Sequence, residues 1–274
     1  MYRRPTLTLL CLASLACATV RAQTGEWHYG LGSGLNSFSL NGEVGFSPAG
    51  MRARGPMPQV FAGVGVGYGY VMGALMGAQP SAFFQNFNLD NGETSDLVDS
   101  GRRVSAFAHN DRWNIQIGYG SVSLDARESM VDIEWEKRQA DLLVTYTIAA
   151  LDRHSFGVQA GARQVEHDWR LSSAVATLGL DEKWTDAVIG ATHLYRIRDG
   201  WTWTNVVNYG FGGSEGTTLL QTQLNWHPLP HWALNLHQRY LATEYGDKGD
   251  MNQNDFYYYK ASEPSVGIGV HYPW

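Results

Sequence analysis

The stretch that decides the fold is Ser265-Val-Gly-Ile-Gly-Val-His-Tyr-Pro-Trp274. Large apolar or aromatic residues occupy every second position: Val266, Ile268, Val270, Tyr272 and Trp274. Ser265, Gly267, Gly269, His271 and Pro273 lie between them. A β-strand sends alternate side chains to opposite faces. This strand therefore has one greasy face and one small or polar face, and it runs to the chain end. A soluble domain rarely finishes on an exposed apolar face and an aromatic residue. The closing strand of a transmembrane β-barrel does, because lipid lies outside it and a polar lumen inside.

The other strands repeat this pattern. In 217–228, Thr218, Leu220, Thr222, Leu224 and Trp226 share one face, and Gln221, Gln223, Asn225 and His227 the other. In 231–246, Trp232, Leu234 and Leu236 oppose Asn235, His237 and Arg239. Polar rows this regular suit a lumen and not a sandwich core. Ten strands are expected, at 26–39, 101–109, 112–126, 130–149, 154–171, 183–198, 200–213, 217–228, 231–246 and 256–274. Short turns at 109–111, 150–153, 198–200 and 228–230 alternate with longer connections at 41–100, 125–129, 172–182, 212–216 and 246–254. The fold class is thus an all-β, antiparallel up-and-down barrel with a long first outer loop; twelve or eight strands are the alternatives. Only an even count returns the C-terminus to the side where the chain begins.

The alternatives turn on residues 40–100, a long loop or an extra hairpin. Within them, 62–70 carries Gly at 63, 65, 67 and 69, with Val64, Val66, Tyr68 and Tyr70 on one face. This run could pair with 81–89, and 93–98 could form a helical turn. Six glycines in 60–78 exclude a membrane-spanning helix there.

The tryptophans follow the same topology. Trp27, Trp113, Trp201, Trp203, Trp226, Trp232 and Trp274 lie beside short turns or chain ends and predict an aromatic girdle on the inner rim. Trp135, Trp169 and Trp184 lie near the long-loop ends and predict a second girdle on the outer rim.

The N-terminus carries Arg3 and Arg4 and then an apolar run over 7–18, too short to cross a bilayer as a helix. Val20-Arg21-Ala22 predicts cleavage before Gln23, giving a signal peptide at 1–22 and a barrel domain at 23–274. Ser14-Leu15-Ala16-Cys17 is an imperfect lipid-attachment box and the rival reading. Cleavage removes both cysteines, Cys11 and Cys17, and takes the net charge from −6 to −9. Such a chain lacks a disulfide framework and a nucleic-acid-binding surface. Charged residues make up only 17% of the chain, beside 31 glycines. The mean hydropathy of −0.27 is ordinary because the two strand faces average out.

The chain resembles the uncharacterised small outer-membrane β-barrels of Gram-negative bacteria, described as porin-like or OmpA-like. The resemblance rests on Trp184-Thr-Asp186, Ile189-Gly190, Trp201-x-Trp203, Tyr209-Gly-Phe-Gly-Gly213-Ser214, His231-Trp232, Arg239-Tyr240-Leu241, Glu244-Tyr245 and the closing strand. Weaker likeness covers Arg112-Trp113, Gly161-Ala-Arg163 and residues 27–42. The chain departs from the family at Asn208, where Asp is usual, at His237-Gln238, where Gly-Tyr is usual, and in residues 43–90, which are longer. Val270, Tyr272 and Trp274 resemble the C-terminal signal of the barrel-assembly machinery. The resemblance implies Sec export and the bacterial outer membrane. The partners it implies are membrane lipid and lipopolysaccharide, with periplasmic chaperones and that machinery during biogenesis. It brings no established activity.

Candidate sites are few. No histidine is followed by Ser two residues on, as a base and nucleophile sharing one strand face would need. Asp152-Arg-His154 falls in a predicted inner turn. The loop 250–261 mimics a calcium loop but has Asp255 at its sixth place and Ala261 at its twelfth, so it reads as solvated acid. No metal or cofactor is expected. The lumen set is Arg163, Asp186, Asn208, His237 and Arg239, with Arg163, Asp186 and Arg239 expected to pair across the barrel or form a solute-selective constriction. The function expected is that of a monomeric, non-enzymatic barrel, structural or a narrow passive channel. A hydrolase acting on lipid or peptide, and an adhesin working through the acidic loops, are its rivals.

Overall fold

The computed structural model describes residues 26–38, 40–46, 52–53, 83–89, 98–128, 131–173, 177–229, 231–246 and 256–273. Among these residues thirteen strands are present: β1 His28–Phe38, β2 Leu40–Phe46, β3 Arg52–Ala53, β4 Phe83–Leu89, β5 Val98–His109, β6 Trp113–Glu128 and β7 Val131–Leu151; then β8 His154–Ser173, β9 Thr177–Arg198, β10 Trp201–Phe211, β11 Gly216–Leu229, β12 Trp232–Tyr245 and β13 Tyr257–Pro273. Ten of them, β1 and β5 to β13, pair antiparallel in a closed ring. The ring shuts where β1 meets β13, from Gly30 against Pro273 to Phe38 against Ser265. The expected parity holds: β1 begins and β13 ends on the same rim. Closure leaves no barrel strand with an open edge.

The short connections gather on that rim. Asp199-Gly200 is a tight turn, with Gly200 at φ +75°, a backbone region that favours glycine. At the other end the strands run further than their alternation suggested. Residues 125–128 and 131 belong to β6 and β7, and 172–173 and 177–182 to β8 and β9. Two expected loops are therefore the ends of tall hairpins. Alternation fades there because the outer face meets water, while backbone pairing continues.

Part of the long first loop extends this wall. β2 continues the pairing along β13 beyond β1, with Phe46 opposite Tyr257, and β4 pairs with β2. This antiparallel pair rises above the ring and adds no strands to it; it is not the expected hairpin, because β3 lies between its two strands in the chain. Its partners are 40–46 and 83–89; the expected 62–70 strand and most of the 93–98 turn lie outside the described residues. β3 makes a short pairing with β9.

The outward faces carry the lipid belt, with Leu35 and Ile268 more than 60% exposed. On the inner rim, Trp113 packs on Tyr146, Trp201 stacks on Trp226 at 5.7 Å, and Trp232 meets Tyr272 edge-on. Trp203 is exposed beside them and Trp27 is partly exposed; Trp274 lies outside the described residues. Exposed Tyr119, Tyr209, Phe211 and Tyr240 border the upper edge. From Trp232 to Tyr240 is eight residues, roughly 20 Å of membrane normal for a tilted strand. Above that edge the outward face becomes charged, as in the Arg170–Glu134 and Lys260–Glu244 pairs.

The expected outer tryptophan girdle is corrected. Trp135, Trp169 and Trp184 are almost completely buried inside the barrel. They lie above the lipid belt, where the outer face is wet and only the interior offers an apolar place.

One outward row interrupts the belt. His193, Asn205 and Thr222 are cross-strand neighbours on β9, β10 and β11. Thr222 Oγ1 donates to Asn205 Oδ1 at 2.9 Å and accepts from Trp203 Nε1. His193 Nε2 lies 3.0 Å from His154 Nδ1. These mutual bonds reduce the cost of polar groups against hydrocarbon.

Burial separates the two tryptophan sets energetically. Trp184→Ala should lower stability by about 3–5 kcal/mol, the usual cost of emptying an aromatic core position. Trp203→Ala on the exposed rim should cost a fraction of that. Urea unfolding of lipid-refolded protein measures both; equal losses would place Trp184 on the outside.

Candidate functional site

The site is the barrel interior, where alternation brings residues from every strand together. Glycines make the room. A Cβ on Gly30 would fall 2.2 Å from the Phe107 ring, and one on Gly267 within 2.5 Å of His237 Nε2. The bare inward positions of β1 and β13 thus accept side chains reaching from neighbouring strands.

The lower lumen is amide-rich. His237 bridges Asn235 Oδ1 at 3.0 Å and Asn36 Oδ1 at 2.7 Å. Gln221 donates to Gln223, which donates to Asn225.

The middle layer centres on Asp141. Its Oδ1 accepts from Arg163 Nε at 2.8 Å, and its Oδ2 from Gln139 at 2.8 Å and Arg103 at 3.4 Å. Arg163 Nη2 reaches Asn208 Oδ1 at 3.3 Å, and Asn208 donates to Gln159 at 3.1 Å. Arg239 joins through Gln139 Oε1 at 3.1 Å. Above it Lys137 pairs closely with Glu263, which also accepts from Tyr259 at 3.0 Å. Arg163 and Asp186 are both completely buried.

The outer lumen is filled by aromatic rings. Trp135, Trp169, Trp184, Tyr257 and Tyr259 pack with Val44, Phe46, Val165 and Leu180. His167 stands among them, edge-on to Trp135, Trp184, Tyr257 and Tyr259. Its Nδ1 lies 2.8 Å from the Tyr257 hydroxyl, which also accepts from Trp169 Nε1 at 3.0 Å. His167 sits above the lipid belt; burial, with Lys137 nearby, pushes its pKa well below the ordinary imidazole value.

All five expected lumen residues face inward, but not all meet. Arg163, Asn208 and Arg239 belong to the middle network, and His237 to the amide layer below. Asp186 is corrected. It is the cross-strand neighbour of Arg163, yet its oxygens accept from the Gly213 and Ser214 amides at 3.1 and 2.7 Å, and from the Ser214 and Thr217 hydroxyls at 2.8 and 2.9 Å. It therefore ties down the β10–β11 turn, and the carboxylate that pairs with Arg163 is Asp141. The sequence reading missed Asp141, Gln139, Lys137, Glu263 and Arg103. Their signal was period two: 137, 139 and 141 share the inward face of β7.

Asp152 lies in an inner turn, and His154 points outward against His193 and Tyr195. Among the described residues, no three or more metal-ligating side chains converge.

No family model matches the chain, and no curated protein matches it. Solved structures do. The outer membrane protease OmpT from Escherichia coli superposes with a TM-score of 0.52 at 9% identity, covering 93% of this chain and all of that one. The translocator domain of the autotransporter NalP from Neisseria meningitidis gives 0.42 at 10% identity, over 97% and 95% of the two chains. Ail, the attachment invasion locus protein of Yersinia pestis, gives 0.35 at 11%, over 92% and 100%. At 9% identity the OmpT likeness is one of fold.

The two carboxylates should respond differently to one rescue. Asp141→Ala strands a buried guanidinium and should cost about 3–5 kcal/mol. Asp186→Ala leaves two turn amides unsatisfied and should cost about 1–3 kcal/mol. Adding Arg163→Met should recover much of the first loss and little of the second. Urea midpoints read both cycles; equal rescue would return Asp186 to the Arg163 pair.

Proposed function

We infer that this chain is a closed, non-conducting β-barrel of the bacterial outer membrane, a structural protein of the envelope rather than a pore or a hydrolase. The observation that carries this reading is the doubly closed interior. The Asp141–Arg163–Asn208–Gln159 layer crosses the middle of the barrel, and the Trp135–His167–Trp184–Tyr259 packing fills its outer end. A ten-strand lumen is narrow enough for side chains to occupy it. Within it, the cavity beside Arg163 is about 80 Å³ and one beside Lys137 and Arg239 about 50 Å³. These are pockets of water size, not a path.

The outer-membrane placement is supported by the lipid belt, the closing strand and the export signal expected at 1–22. The part of the protein that meets the exterior is then the set of tall hairpins with charged outward faces. OmpT is a protease; here Asp141 is engaged with Arg163, and His167 with Tyr257 inside the ring cluster of the outer lumen.

Planar-bilayer recording of the refolded full chain tests this reading. Protein that retains heat-modifiable mobility on a gel should give no conductance steps at any applied voltage. Reproducible steps, abolished by heat denaturation, would overturn it.

A further inference from the structure

We propose that the lumen cavity beside Arg163 holds one small monovalent anion of the chloride class. Charge, hydrogen bonding and space point to the same place.

Four cations face inward around the middle layer: Arg103, Lys137, Arg163 and Arg239. Among the described residues, Asp141, Glu263 and Asp186 face them, the last at the height of Arg163 in the β8–β9 register. The other strands contribute neutral groups there, among them Asn36, Gln116, Asn208 and Gln221. Glu182 also faces inward, in the same cross-strand row as His167 and Lys137, where Tyr245 reaches it at 3.4 Å. On the wall of the cavity itself two guanidinium groups, Arg103 and Arg163, face one carboxylate, Asp141, in a region where an uncompensated charge is costly.

The acceptors are already used. Asp141 receives Arg163, Gln139 and Arg103. Asp186 receives four donors from the β10–β11 turn. Glu263 receives Lys137 and Tyr259. Among the described residues, two guanidinium nitrogens remain without a partner, Arg163 Nη1 and Arg239 Nε, and Arg163 is 0% exposed.

Arg163 borders the 80 Å³ cavity, with Arg103, Asn208, His237, Gln221 and Gln223 also on its wall. The space holds about three waters, so a halide fits and a sugar phosphate or nucleotide does not. Water alone would satisfy the N–H groups but leave the charge. A halide satisfies both, within a wall that supplies two guanidinium groups and amide donors.

Thermal unfolding of the refolded full chain in sodium chloride and in sodium gluconate at equal ionic strength tests the site, gluconate being too large for the cavity. Chloride should raise the midpoint by a few degrees, because a ligand that binds only the folded state stabilises it. Asp141→Asn removes the competing negative charge and should make the chloride dependence steeper. Arg163→Met, where it folds, should abolish it. Crystals grown in sodium bromide should show an anomalous peak within hydrogen-bond reach of Arg163 Nη1. Equal midpoints in the two salts, for both wild type and Asp141→Asn, with no bromide peak in the lumen, would overturn the proposal and leave water as the occupant.

Discussion

The structure depends on the rule that no backbone amide or carbonyl can be left unpaired against hydrocarbon. Each such group would cost several kcal/mol, and lipid offers no replacement. A sheet meets the rule only by closing on itself, and the β1–β13 seam is where this chain does so. The seam also explains Gly267 and Gly269. They let the strand lie flat while His237 and Asn235 from β12 cover its inward face. The feature that first marks the chain as a barrel, an alternation of greasy and bare positions at the C-terminus, is thus the feature that permits closure.

Closure creates the second problem, an interior too narrow for bulk water and too polar to be dry. Two solutions are stacked along the axis. In the lower and middle lumen, amides and paired charges satisfy one another around Asp141. In the outer lumen, beyond the lipid, the strands continue as a water-soluble barrel would, charged outside and aromatic inside. The change occurs near the Tyr119 and Tyr240 level. It turns one continuous sheet into a membrane segment with a polar core and an extramembrane segment with an apolar one.

That inversion decides what could be read from sequence. Strand number and parity were legible because inside the belt only one face tolerates Leu, Val or Trp, as in Trp232, Leu234 and Leu236. Trp135, Trp169 and Trp184 were misplaced because they were read with the belt's rule in a region where it is reversed. Their neighbours carried the correction: Glu134, Glu136 and Arg138 alternate with Trp135 and Lys137, so the charged face was available as the wet one. The inward direction of Arg163, Asp186, Asn208, His237 and Arg239 was legible for the same period-two reason. Their partners were not. Asp141 meets Arg163 through the β7–β8 register, and Asp186 turns away because the β10–β11 turn offers it four donors. Both are facts about neighbouring strands that one strand's sequence does not contain.

The central claim is a sheet with lipid on one face and a sealed interior on the other. Single-cysteine variants along β12, positions 233 to 241, made in a chain lacking Cys11 and Cys17 and spin-labelled in lipid bilayers, test it most directly. Collision with oxygen should peak at 234, 236, 238 and 240 and fall at 235, 237 and 239. A water-soluble nickel complex should reach neither set. A nickel complex that reaches 235, 237 and 239 as readily as an exposed loop position would contradict the sealed lumen, and an oxygen profile without the two-residue period would contradict the barrel wall itself.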